Sequence, residues 1–291
     1  MVSLPGINRK TTEKLILGVL LGVFFLIFWT LEPRFSAYLS GGEGLLIRFY
    51  DVGQGDAILI EKGTTQILID GGPNDRILSY LGRDLLPWDR EIELLVLTHP
   101  HADHLTGLIP VIERYKIDRI LYYPSVYDTA GYQKFQELVK KEGAEVLFGK
   151  EDAQISVGEF FFQILWPTAN FHSVNPNNES VVMLLDYQEF ETLLLGDAEK
   201  EVQSQLIIKD DVEVIKVGHH GSANGSYEPL LRTVSPNLAV VSVGARNQYG
   251  HPHQQTLDLF AKFGIPLLIT DLNGTITVRS DGHNFWYDTE R

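Results

Sequence analysis

The run His99-Pro100-His101-Ala102-Asp103-His104 places four groups able to ligate a metal within six positions. It follows directly on the apolar stretch Glu93-Leu94-Leu95-Val96-Leu97-Thr98, so these side chains leave the end of a strand and project into a cleft. In an extended segment, side chains i and i+2 point the same way, which lets His99 and His101 chelate one ion. Asp103 and His104, where the chain turns into a helix, can face a second. The 291 residues contain no cysteine. Any metal therefore rests on imidazole and carboxylate, a donor set suited to zinc, manganese or iron. A polar loop with chance histidines explains four such groups poorly, because histidine is normally scattered.

Other ligand-type residues also sit at strand ends. Gly196-Asp197 closes Thr192-Leu193-Leu194-Leu195, and a carboxylate there can bridge two ions. Gly218-His219-His220-Gly221-Ser222 follows Val214-Ile215-Lys216-Val217, and Tyr249-Gly250-His251-Pro252-His253 comes shortly after an apolar strand at 238–243. Of the nine histidines, His172 lies in a nearby loop and only His283 stands apart from both loop and clusters. For His251 and His253, a helix-capping turn before Gln254 remains an alternative.

To hold these groups, the chain needs strands that end together. Apolar, β-branched runs predict strands at 45–52, 57–61, 66–69, 93–98, 119–123, 159–166, 181–187, 192–195, 212–217, 238–243, 266–270 and 275–278. Helical periodicity falls between them at 105–115, 132–141, 198–208 and 254–263. Strand-rich halves with interspersed helices imply two sheets covered by helices, a mixed α/β fold. A hydrophobic content of 44% supplies the core, and no repeat or low-complexity tract interrupts it. The formal charge of −14 opposes broad attraction to nucleic acid or anionic lipid, so a polyanionic substrate needs a local positive centre.

The N-terminus differs from the rest. Between Leu15 and Leu31, Thr30 is the only residue that is neither apolar nor glycine. A helix over 15–31 is roughly 26 Å long, against a hydrocarbon core about 30 Å thick. Arg9, Lys10 and Lys14 flank its start, so the positive-inside bias puts 1–14 in the cytoplasm and everything after the anchor outside. A cleaved signal is the competing reading, but Phe35-Ser36-Ala37 lacks the small residue expected two places before a cut. The expected organisation is a cytoplasmic tail at 1–14, a transmembrane anchor at 15–31, a linker at 32–44 and a catalytic domain at 45–291.

Taken in order, the motifs resemble the metallo-β-lactamase superfamily, and within it the nuclease-like C-terminal domain of bacterial DNA-uptake channel proteins of the ComEC/Rec2 type. They are Asp51-Val52-Gly53-Gln54-Gly55-Asp56, Asp70-Gly71-Gly72, the His99 run, Asn177-Asn178-Glu179-Ser180, Gly196-Asp197, His219-His220-Gly221-Ser222, Tyr249-Gly250-His251-Pro252-His253 and Thr270-Asp271. The resemblance implies a four-layer αβ/βα sandwich with two divalent ions, zinc or manganese, at one edge between the sheets. It matches His99, His101, Asp103, His104, Asp197 and His219 to the ligands, with Asp197 the bridging carboxylate. Asp70 and Asp56 match groups that stand behind the ligands and orient them. Asp103, Asp197, His220 and His251 match catalytic positions, and Ser222, His253 and Asn178 match substrate-binding ones. Two departures stand out. Where the wider superfamily adds a histidine before the strand at Val181, this chain has Asn177 and Asn178, whose amide oxygens are weaker ligands. The channel-forming domain is also missing, so one anchor is not expected to conduct DNA.

The expected chemistry is hydrolysis in which two ions about 3.5 to 4 Å apart lower the pKa of a shared water and stabilise charge on the substrate. A phosphodiester in DNA is the preferred substrate, by resemblance. The rival expectations are a small ester, lactone or nucleotide at the same centre, and a non-catalytic metal-stabilised module docked on a separate uptake or envelope complex.

Overall fold

Along β1 (Leu45–Phe49) the side chains of Leu45, Ile47 and Phe49 are buried, while Leu46 and Arg48 face the other way and are less covered. This period of two gives each strand two faces, and the faces belong to different cores. The computed structural model describes residues 16–23, 44–209 and 211–291. The chain divides at Glu43 and Gly44, and the fold below is that of the unit from Gly44 to Arg291.

The first sheet comprises β1 and β2 (Ile58–Lys62), β3 (Thr65–Ile69), β4 (Glu91–Leu97), β5 (Lys116–Tyr122), β6 (Glu145–Phe148), β14 (Ile276–Ser280) and β15 (Phe285–Thr289), in the order β15-β14-β1-β2-β3-β4-β5-β6. The second comprises β7 (Gln154–Val157), β8 (Phe160–Trp166), β9 (Val182–Tyr187), β10 (Phe190–Leu194), β11 (Val214–Lys216), β12 (Leu238–Val241) and β13 (Leu267–Ile269), in the order β13-β12-β11-β10-β9-β8-β7. Each sheet is antiparallel on one side and parallel on the other. The parallel parts are β3 to β6 and β10 to β13. Ligands on such sheets bind beyond the carboxyl ends of parallel strands. The loops leaving β3, β4, β10, β11 and β12 at those ends carry Asp70, the His99 run, Asp197, the His219-His220 pair and the 244–253 segment.

Ile47, Ile60, Ile67 and Val96 of the first sheet meet Phe162, Met183, Leu185 and Val240 of the second in one buried layer. The reverse face of the first sheet (Leu59, Leu68, Leu95, Leu97) packs on α1 (Arg76–Asp84), α3 (Leu108–Ile112) and α4 (Ala130–Glu142). The reverse face of the second (Leu193, Ile215, Ala239, Val241) packs on α6 (Glu228–Val234) and α7 (Gln254–Phe263). The layers run helix, sheet, sheet, helix. α4 shows why such helices form: Thr129 accepts the Tyr132 amide at its start, left-handed Gly143 (φ 76°) ends it, and Tyr132, Phe135, Leu138 and Val139 share its buried face.

Three strands and three helices lie outside the pattern expected from the sequence. The strands β6, β7 and β15 are all sheet edges, and edge strands stay short and partly exposed, without the long apolar runs that mark central ones. The helices α1 and α6 are short and alternate apolar with charged residues. The helix expected at 105–115 is broken into α2 (Ala102–Leu105) and α3, and that expected at 198–208 shrinks to α5 (Lys200–Gln203). A last short helix, α8 (Thr270–Asn273), follows β13. Of the anchor expected at 15–31, residues 16–23 are helical and the rest lies outside the described residues, as do 1–14 and most of 32–44. Among the described residues no helix is long and apolar enough to cross a membrane.

The break at Gly107 has a steric cause. A Cβ there would lie 1.9 Å from the Gly71 carbonyl oxygen, and a Cβ on Gly71 would lie 2.4 Å from the Leu108 amide nitrogen. Two glycines let the turn after β3 touch the turn after the histidine run, and the Gly71 N–H donates to the His104 carbonyl at 2.7 Å. Gly107→Ala is therefore expected to cost about 3 kcal/mol, measured as a lowered thermal unfolding midpoint of the full chain.

Candidate metal centre

Three imidazoles converge on one oxygen. Nε2 of His104 and Nε2 of His220 each lie 3.4 Å from Asp197 Oδ2, and Nε2 of His99 lies 3.8 Å from it. Asp103 Oδ2 joins at 3.3 Å from His220 Nε2. All but Asp103 are almost wholly buried.

The opposite ring nitrogens are held from behind. His104 Nδ1 meets Asp70 Oδ2 at 2.7 Å, and His220 Nδ1 meets the Ser242 carbonyl at 2.9 Å. A carbonyl or ionised carboxylate only accepts, so each Nδ1 donates and each Nε2 is left to bind something else. Asp70 is itself fixed, accepting the Thr98 N–H at 2.8 Å and the Thr98 hydroxyl at 2.7 Å. His99 Nδ1 lies 3.2 Å from the same hydroxyl, and His99 Nε2 is 3.0 Å from Nδ1 of the half-buried His101.

Backbone shape sorts the adjacent histidines. His219 (φ 45°) and His220 (φ 51°) both occupy the left-handed region, and so does Asp70 (φ 58°). Such conformations cost non-glycine residues of order 1 kcal/mol or more each and gather at functional sites. Here they send His220 inward and His219 aside. His219 Nδ1 lies 3.0 Å from Glu199 Oε1, with the Asn177 amide nitrogen 3.3 Å away. Gly55 must be glycine, because a Cβ there would fall 2.1 Å from the Asp103 carbonyl oxygen. That contact lets the Asp56 N–H donate to the same oxygen at 3.2 Å.

The donors fit a cation. Nε2 of His104 and Nε2 of His220 are buried without a hydrogen-bond partner, and unpaired buried polar atoms each cost about 1–3 kcal/mol. Ligand atoms from Asp56, His104, Asp197 and His220 lie within 4.8 Å of one another. Asp56 nevertheless stands on the Nδ1 side of both rings, 3.5 Å from His220 Nδ1 and 3.9 Å from His104 Nδ1, so it backs the histidines rather than sharing their front.

The remaining sequence candidates spread outward. The His251 ring lies 5.4 Å from that of His219 and 6.4 Å from that of His220, at the rim, stacked on exposed Tyr249. His253 stands at the start of α7 with Nε2 near the Tyr249 carbonyl, and its side chain makes no capping bond. The Asn178 side chain accepts the Glu199 N–H at 3.1 Å and its carbonyl accepts the Trp166 indole N–H at 2.7 Å, so both are engaged in the wall. Ser222 Oγ is buried and unpartnered. His172 is exposed, beside Glu179 and away from the cluster. Sequence reasoning passed over Lys216 and Glu199. A lysine inside the apolar strand Val214-Ile215-Lys216-Val217 was the available signal for the first; Glu199 gave none beyond its closeness to Asp197.

The sequence profile of the metallo-β-lactamase superfamily matches residues 50–245, which span every group in the cluster. The chain belongs to this superfamily. Its members are generally metal-dependent hydrolases, and this one carries a buried histidine and aspartate cluster suited to metal ions. It is 29% identical over 306 residues to ComE operon protein 3 of Bacillus subtilis, covering 95% of this chain and 37% of that protein. It is 30% identical to Recombination protein 2 of Haemophilus influenzae, covering 82% and 28%, and 27% identical to competence protein ComA of Neisseria gonorrhoeae, covering 79% and 31%. The chain thus spans about a third of these relatives' length. Among solved structures, the metallo-β-lactamase fold protein YhfI of Bacillus subtilis superposes with a TM-score of 0.55 at 12% identity, covering 84% of this chain and 99% of that one. The diiron β-hydroxylase CmlA of Streptomyces venezuelae superposes with a TM-score of 0.53 at 16% identity, covering 81% and 54%. These two likenesses establish the fold.

Charge in this metallo-β-lactamase centre is divided by position. Burial alone would lower the His220 pKa, yet Asp197, Asp103 and Asp56 outweigh it and raise it to about 10. Burial likewise opposes the His104 proton, but Asp197 and Asp70 raise its pKa well above the usual imidazole range. His99, with burial and then the His104 charge against it, is pushed well below that range, and burial lowers His101 too. Asp197 and Asp103 stay ionised despite burial because His220 and His104 face them. Without a metal, therefore, His104 and His220 favour the doubly protonated, cationic form and His99 and His101 the neutral one. Loading a divalent cation is expected to release about two protons per chain at pH 7 and to weaken as pH falls, because protons compete for the same Nε2 atoms. Calorimetry in buffers of different ionisation enthalpy measures the release.

Proposed function

We propose that this chain is a metal-dependent phosphodiesterase acting on DNA, in a role like that of the competence proteins it resembles. The observation carrying the hydrolase reading is the convergence of three Nε2 atoms on Asp197 Oδ2, with Asp103 beside one of them and both Nδ1 atoms of the inner pair occupied behind. DNA as the substrate is supported by the relatives, two of which bear the names of competence or recombination proteins.

In this reading His99, His101, Asp103, His104, Asp197 and His220 would hold two divalent ions, zinc or manganese. Such ions would supply Lewis-acid activation of water and positive charge for the substrate phosphate. The residues of the chain do the rest. Asp70 and the Ser242 carbonyl fix the tautomers of His104 and His220. Glu199, by hydrogen bonding, holds His219 beside His251, and Glu199 itself stays ionised for the same reason. His251, whose pKa burial and its histidine neighbours push down to about 4, is a neutral rim group able to accept a proton or a hydrogen bond. His219, not aligned with the inner set, belongs to this rim, as does His253, and His220 takes the ligand position. The apolar run at 15–31 anchors the domain on the outer face of the cell membrane.

A second reading keeps the centre and changes the substrate to a small ester, lactone or nucleotide. The net charge of −14 favours it, since an acidic shell repels an extended polyanion.

Asp103→Ala and Asp197→Ala are each expected to lower hydrolysis by roughly a thousandfold or more, as follows when the groups stabilising transition-state charge are lost, with circular dichroism unchanged. Supplying single-stranded DNA and a small phosphodiester with Mn2+ and with Zn2+ separates the two substrate readings. Turnover of the small compound alone removes the nuclease reading, and turnover of neither, in a metal-loaded chain, removes the phosphodiesterase reading.

A further inference from the structure

Lys216 is a wholly buried lysine at the end of β11, and no step above uses it. Its Nζ forms an ion pair with Asp56 Oδ2, donates to the Gly196 carbonyl at 3.1 Å and lies 4.0 Å from Asp197 Oδ1. Asp197 is therefore split: Oδ1 faces the ammonium and Oδ2 faces the three Nε2 atoms. Asp56 is occupied in the same way, with Oδ2 on Lys216 and Oδ1 beside His220 Nδ1. Lysines are almost never fully buried unless paired, and an apolar side chain of similar volume is often as stable or more so. Filling space does not account for a charged group here.

We propose that Lys216 is a positioning residue, a resident cation that is held by Asp56 behind the rings, draws the outer oxygen of Asp197 away from the ion-binding front and so holds down the affinity of the centre for divalent cations. The proposal rests on the metal-centre reading given above. An ammonium near a dication opposes it, and the Asp197 oxygen turned towards that ammonium is withdrawn from the ion. A centre restrained in this way presents one oxygen of Asp197 rather than two and leaves coordination positions for substrate.

Charge makes an ordered forecast. Lys216→Met is expected to bind Mn2+ and Zn2+ about tenfold tighter or more than the parent, because the opposing cation is gone and the outer oxygen of Asp197 is released to the ion. Asp56→Asn leaves the ammonium uncompensated and is expected to bind more weakly than the parent. The double variant removes one charge of each sign and is expected to bind near the parent value. A lysine that merely props the strand would weaken binding, or leave it unaltered, in all three. Dissociation constants from chelator competition on the full chain, with metal content by mass spectrometry, read the order directly. Equal or weaker binding by Lys216→Met overturns the proposal. Should that variant fail to fold, Asp56→Asn binding as tightly as the parent, or the double variant binding tenfold more weakly, overturns it, and the expected values for that pair support it. A parent chain that takes up no divalent ion at all instead overturns the metal-centre reading, and this proposal with it.

Discussion

The arrangement depends on a single oxygen being approached from several sides at once. Asp197 Oδ2 is the common neighbour of His99, His104 and His220, and each contact is made by Nε2. Imidazole can serve a metal through either nitrogen, so this agreement has to be enforced from outside the rings. Enforcement comes from acceptor groups that cannot act as donors: the Asp70 carboxylate behind His104 and the Ser242 carbonyl behind His220. Thr98, one residue before His99, ties Asp70 by both its backbone N–H and its hydroxyl. The first histidine of the run and the aspartate behind the third are thus positioned through one threonine.

Backbone geometry follows from the same demand. Two consecutive left-handed histidines and a left-handed aspartate are costly, and no glycine relieves them at those three positions. Glycines appear where main chains must touch: Gly55 against Asp103, and Gly71 against Gly107. The turn after β3, the histidine run and the segment before β2 are therefore packed main chain to main chain, which leaves the side chains of Asp56, Asp70 and His104 little freedom to move independently.

How much of this could be read from the residues alone varied with how local the signal was. Central strands were legible because buried parallel strands are continuous apolar runs: Leu94 to Leu97 and Val214 to Val217 announce themselves. The edge strands β6, β7 and β15 were not, since half of each meets solvent or a loop and the pattern dissolves. Helix α7 was legible to the residue at 254–263, whereas the helix after the histidine run was cut by a contact from Gly71, a partner distant in sequence. The gathering of the His99 run, Asp197 and a histidine after β11 was implied by their places at strand ends. Which of the two histidines after β11 turns inward was not, because that depends on two φ angles rather than on residue type. Lys216 was invisible as a functional group for a related reason: a lysine in an apolar run reads as an interruption until its neighbours across the sheets are known.

Neither sheet can build the centre alone. His99, His101, Asp103, His104 and Asp70 hang from the first sheet, and Asp197, His219, His220 and Lys216 from the second. Their relative placement is set by the layer in which Ile47, Ile60 and Val96 meet Phe162, Met183 and Leu185. The cluster brings four carboxylates, Asp56, Asp70, Asp103 and Asp197, into one small volume, a burden that only the facing histidine protons, Lys216 or a bound cation can offset. Apolar packing between the sheets thus forces like charges together, and positive charge at the centre is the condition on which that packing is tolerable. Fold and site are for this reason one equilibrium: whatever loosens the inter-sheet layer lets the carboxylates part, and whatever supplies positive charge at the centre draws the sheets together.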